Sequence, residues 1–123
     1  MELHEYAFEK LKVWEDIREL NSKIYLLTNN FPDNEKYGLV SQMRRSSISV
    51  GSNIAEGSSR TSAKDQSHFY QIAYSSLMEL LSQLIVSYDL SFIEQEKYSN
   101  TRELIQKISF KINALRNPSL KRT

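Results

Sequence analysis

Apolar residues recur along this chain at alternating steps of three and four. Val13, Ile17, Leu20, Ile24, Leu27 and Phe31 form one unbroken series. That spacing lines side chains along one face of an α-helix, the seam of a helical bundle. Leu11, Trp14 and Tyr25 lie beside the seam and widen it. Leu39, Met43, Ser47, Val50 and Ile54 make a second series, and Tyr98, Thr101, Ile105, Ile108, Ile112 and Leu115 another. Between them, Phe69, Ile72, Ala73, Leu77, Leu80, Leu81, Leu84, Ile85 and Tyr88 form a stripe too wide for one two-helix seam. A helix apolar over so much of its girth is expected to touch several neighbours, some of them in another subunit. The pattern predicts four helices over about residues 9–30, 37–56, 63–89 and 94–116.

The breaks between these segments carry stop and start signals. Asn29-Asn30 precedes Phe31, which Pro32 holds extended. Gly57 suits the left-handed position after a helix end. Ser62 and Asp65 have capping-box spacing, as do Ser91 and Glu94. Asn117-Pro118 stops the last helix. The strand-forming residues fall at helical rather than alternating spacing. Short links between amphipathic helices give an all-α, up-down-up-down four-helix bundle, with 1–123 as one domain.

The second helix is nearly bare of large side chains: Ser46, Ser47, Ser49, Gly51, Ser52 and Ala55 leave its flank thin. A glycine inside a helix costs about 1 kcal/mol relative to alanine. A sequence that tolerates this is expected to use the space for close helix approach at Gly51.

Composition narrows the chemistry. With 40% hydrophobic and 25% charged residues, the chain suits a soluble globular protein. It has no cysteine, which removes disulfides and thiol chemistry and fits a cytoplasmic setting. No basic start with an apolar core follows Met1, and no apolar run approaches a membrane span. Gly38, Gly51 and Gly57 are the only glycines, too scattered for a phosphate-cradling loop. The histidines are His4 and His68. Asp65 and His68 stand three residues apart, but di-iron bundles need Glu-x-x-His twice and deep in the core. A cap and a surface histidine are expected instead, with no metal, no cofactor and no enzymatic activity.

The polar residues of the second and third helices have two uses. In a structural one, Arg44 or Arg45 pairs with Glu79 or Glu56, and the Asn53 amide bonds to backbone or a neighbour. Such pairs fix helix register and orientation. In a functional one, Arg44, Arg45 and Arg60 contact nucleic-acid phosphates. Charge is also uneven. Residues 1–20 hold six acids against three bases, whereas residues 106–123 hold Lys107, Lys111, Arg116, Lys121 and Arg122 and no acid. Lys107, Lys111 and Arg116 all fall off the apolar seam, so an exposed basic face is expected on the last helix, available to RNA or DNA.

Ser41-Gln42-Met43-Arg44-Arg45 followed by Asn53-Ile54-Ala55-Glu56-Gly57 resembles the signature of the 23S ribosomal RNA intervening-sequence protein family. Leu11-Lys12-Val13-Trp14 and the stretch from Phe69 to Leu80 match it too, so the resemblance runs from about Leu11 to Asn117. It implies a four-helix bundle assembled as a homopentamer. A related group serves as nucleic-acid-binding accessory proteins to the reverse transcriptases of diversity-generating retroelements. That relationship implies weak nucleic-acid binding through basic helix faces, with a protein adaptor or scaffold, for example for a reverse transcriptase, as the alternative.

Overall fold

The computed structural model describes residues 1–117. Pro118, Lys121 and Arg122, read above as a helix stop and as an extension of the basic face, lie outside the described residues. Four helices, α1 (Lys12–Thr28), α2 (Ser41–Ser58), α3 (Ala63–Asp89) and α4 (Gln95–Arg116), run up and down in chain order. Each packs on the next and α4 closes against α1, which makes the bundle the sequence predicts.

The core is the meeting of the four seams. Ile17, Leu20, Ile24, Met43, Val50, Ile54, Leu77, Leu80, Leu84, Ile105, Ile108 and Ile112 are fully buried. Each such side chain contributes roughly 1.5–3 kcal/mol relative to exposure. On α3 the inner positions are occupied by Ala73, Leu77, Leu80 and Leu84, while Ile72 and Val86 remain exposed. Of the nine stripe residues only Ile72 is exposed, and Phe69, Leu81, Ile85 and Tyr88 are half-buried, so this one bundle covers most of the stripe; Val86 lies outside it.

Small residues bring α2 close to its neighbours on both sides. A Cβ built on Gly51 would lie 3.1 Å from Ile17 Cγ2 and 3.7 Å from Trp14 Nε1, so α1 fills the space the glycine leaves. Facing α3, Ser46 donates to Gln83 Oε1 at 2.8 Å, and the hydroxyls of Ser49 and Ser76 meet at 2.9 Å. Facing α1, Ser47 donates to Asn21 Oδ1 at 2.6 Å. These bonds offset the cost of burying hydroxyls. Among the described residues no buried side-chain polar atom lacks a partner.

Several boundaries differ from the sequence expectation. The first helix begins at Lys12 rather than near residue 9, after a 3-10 turn over Ala7–Lys10, and ends at Thr28. The second begins at Ser41 rather than at residue 37. A π-type turn over Lys36–Val40 precedes it, with Gly38 out of helical geometry (φ −108°, ψ −111°) and the Glu35 side chain accepting from the Leu39 amide. Gly57 is not a left-handed cap: α2 runs through it to Ser58, and no described glycine has positive φ. Its missing side chain is used for packing, because a Cβ there would stand 2.6 Å from Tyr70 Cε1.

The α3 end supplies the left-handed residue instead. Ser91 has φ 65°, its amide donates to Tyr88 O, and the Phe92 amide donates to Ser87 O. This is a Schellman closure with serine where glycine is usual. Phe92 then packs on Phe31, ring centroids 5.4 Å apart, which ties the α3–α4 link to the end of α1. Ser62 caps α3 as expected by accepting from the Asp65 amide, whereas Ser91 and Glu94 form no capping box: Glu94 precedes α4 without a side-chain capping bond and Ser91 closes α3 instead.

Candidate nucleic-acid interface

The basic residues of α4 do not stand free. Asp16 of α1 is only 3% exposed, although it is a carboxylate on the seam between α1 and α4. Lys111 Nζ donates to its Oδ2 at 2.6 Å and Lys12 Nζ to its Oδ1 at 3.0 Å; Lys107 Nζ lies 3.7 Å from Oδ1. Burial alone would push the Asp16 carboxyl up. The hydrogen bonds from Lys111 and Lys12, with the charges of Lys111 and Lys107, outweigh it and hold the group below the usual carboxylate range. The same hydrogen bond and charge raise Lys12.

The expectation of an acid-free basic face on α4 is thus corrected. Lys107 and Lys111 share one buried anion with Lys12, and Glu15 stands 3.8 Å from Lys12. Asp16 and Glu15 together offset two of the three ammonium charges, and all three lysine side chains remain partly exposed. Asp16 escaped sequence reasoning because its partners on α4 are 91 and 95 positions away. A signal was present: Asp16 sits three residues after Val13 and four before Leu20, on the buried face.

Phe110 was also missed. It is 63% exposed, with Lys107 and Lys111 beside it and Glu103 and Gln106 bordering the same shallow depression. Farther along the seam, at the other end of the bundle, Lys23 and Lys97 line a groove between α1 and α4. Neither has a carboxylate within 4 Å among the described residues. Five lysines therefore border the α1–α4 seam along its length.

The remaining expected site residues are dispersed. Arg116 lies over the Tyr74 ring at 4.1 Å and donates to Asn113 Oδ1. Arg60, in the link after α2, lies over the Phe69 ring at 4.6 Å, with Glu56 of α2 3.9 Å away. Among the described residues Arg44 meets no acid. It donates to Thr28 Oγ1 and Asn29 Oδ1, each at 2.9 Å, and covers the Tyr25 ring, which fastens α2 to the end of α1. Arg45 pairs across α2 and α3 with Glu79, while Gln42 Oε1 accepts from its guanidinium. Asn53 donates to Ser49 O and Oγ, a backbone carbonyl and a neighbouring side chain as expected, both within α2. Across helices these residues contribute Arg45–Glu79, with the serine bonds beside it, and the Arg44 bonds to Thr28 and Asn29.

His68 is exposed, with its ring edge-on to Phe69. Among the described residues no group of three metal-ligating side chains gathers, and no helix is long and apolar enough to cross a membrane.

No curated protein matches the chain. A crystal structure of a protein of unknown function from the S23 ribosomal protein family of Bacteroides thetaiotaomicron superposes with a TM-score of 0.79 at 22% identity. The match covers 85% of this chain and 98% of that one, and at this identity it shows the shared fold. The family model of the 23S rRNA-intervening sequence protein matches residues 9–114, from the start of the first seam almost to the end of α4. The chain belongs to the 23S rRNA-intervening sequence protein family.

Proposed function

We propose that this protein is a non-enzymatic, cytoplasmic, oligomeric nucleic-acid-binding protein whose α1–α4 face takes single-stranded RNA. The observation that carries this is the run of five lysines along that seam, with exposed Phe110 set between two of them. Ammonium groups hold phosphates by displacing counterions, and an exposed aromatic ring stacks on a base of any identity. Asp16 gathers the three lysines at its end of the seam and leaves their side chains partly exposed. Binding is expected to be weak for one subunit, since Glu15 and Glu103 border the same surface. A homopentameric ring, as the family resemblance implies, would repeat the face five times and raise the local charge accordingly.

A protein-adaptor role, for example beside a reverse transcriptase, is the second reading. It is favoured by the apolar surface the bundle leaves uncovered, Ile48 on α2 and Ile72 and Val86 on α3. The same surface supports self-association. The discriminating experiment is fluorescence anisotropy of a labelled single-stranded RNA at low salt. Wild type should bind, Phe110→Ala should lose about 1–3 kcal/mol from stacking, and Ile72→Ser should bind as wild type does if its oligomer persists. Absence of wild-type binding would reject the RNA role and leave the adaptor.

A further inference from the structure

The groove at the far end of the seam has a chemistry of its own. It encloses about 380 Å³ between the last turns of α1 and the first turns of α4. Lys23 lines it from α1 and Lys97 from α4. Asn30 and Asn100 line it too, and Leu26 and Leu27 supply apolar surface. Thr101 also lines it, buried, with its hydroxyl donating to Lys97 O at 2.8 Å. Neither asparagine side chain is engaged in a hydrogen bond among the described residues, unlike Asn21, Asn29 and Asn53.

We propose that this groove binds one nucleotide. A phosphate dianion matches two ammonium groups that have no carboxylate of their own. The flat face of a base matches the leucines. A carboxamide presents a donor and an acceptor together, the pair that an adenine edge satisfies. A volume near 380 Å³ lies within the range of small-molecule sites. Other anions match part of this set: inorganic phosphate leaves the amides and leucines unused, and a fatty acid leaves the amides unused. The inference rests on the RNA-binding face proposed above and gives it a subsite. Lys97 stands ten residues before Lys107, about 15 Å along α4 at 1.5 Å per residue, so the two regions are separate and can be tested apart.

The nucleotide could be free or could be the phosphorylated end of an RNA chain, and the probes distinguish these. Equilibrium dialysis at low salt would compare AMP, adenosine, inorganic phosphate, and a short RNA with either a 5′-phosphate or a 5′-hydroxyl. AMP should bind more tightly than adenosine and than phosphate. Lys23→Gln and Lys97→Gln should each weaken AMP by about tenfold, the loss of one charge-assisted contact. Asn100→Ala should bring AMP down to the affinity of phosphate. A 5′-phosphate preference in the short RNA assigns the groove to chain ends, and equal binding of both RNAs assigns it to the free nucleotide. AMP binding no tighter than phosphate, or unchanged in folded Lys23→Gln and Lys97→Gln, overturns the proposal. RNA binding that persists through Lys107, Phe110 and Lys111 while AMP fails would reject the groove alone.

Discussion

Replacing Asp16 by asparagine would remove the charge that three lysines share while keeping the shape of the side chain. Removing one partner of a fully buried pair costs about 3–5 kcal/mol, because the other charge is stranded. Here the lysines are not stranded: Lys111, Lys107 and Lys12 are 32%, 51% and 64% exposed and can turn to water. Exposed pairs are worth about 0.2–1 kcal/mol each. Only the Lys111 bond, short and half-buried, approaches the stronger class. Mutual repulsion of the three ammonium groups adds a little. The expected loss for Asp16→Asn is about 1–3 kcal/mol at neutral pH. The pH dependence follows from the depressed folded-state pKa of Asp16. A carboxylate whose pKa is lower when folded contributes stability above its unfolded value of about 3.9. That contribution is lost as pH falls through the folded value. Urea denaturation at fixed protein concentration should therefore show wild type well above the variant at pH near 7, and the gap should narrow as pH falls below about 4. A variant as stable as wild type at neutral pH, or a gap independent of pH, would refute the reasoning.

The close approach of α2 to its neighbours predicts that Gly51→Leu destabilises by about 1–3 kcal/mol through overpacking against Ile17 and Trp14; an unchanged or raised melting temperature would contradict it. Arg45→Met and Glu79→Leu should couple in a double-mutant cycle by only about 0.2–1 kcal/mol, because the two side chains are 54% and 42% exposed; additive losses would mean that the pair is not formed in solution. Ser91→Gly should stabilise by up to about 1 kcal/mol, since glycine takes φ 65° without a Cβ penalty, and a lower denaturation midpoint would argue against the left-handed closure of α3.

What the sequence made legible was local and periodic. Val13, Ile17, Leu20 and Ile24 stand on one face by spacing alone, and all four are buried. The thinness of α2 was legible as close approach because small residues at helical spacing serve little else. Gly57 was misread because a glycine near a helix end has two uses, a left-handed turn or room for a neighbour, and only Tyr70 decides between them. Arg44 and Arg45 are adjacent in sequence but 100° apart around the helix, so one reaches α1 and the other α3. The lysines of α4 read as free because charge pairing across a bundle is non-local. Their acid comes from the opposite end of the chain, within a stretch that looks solvent-facing by its density of Glu and Asp. Phe110 looked like one more apolar residue of α4, and its exposure follows only from how the helix is rotated in the bundle.

The central claim, that the α1–α4 face holds phosphates through Lys107 and Lys111, is tested most directly by the salt dependence of RNA binding. The logarithm of the association constant falls linearly with the logarithm of salt, by about 0.7 for each phosphate contacted on a single strand. Lys107→Gln/Lys111→Gln, folded and with its oligomer intact, should therefore have a slope shallower than wild type by about 1.4. A slope unchanged in the double variant would contradict the claim.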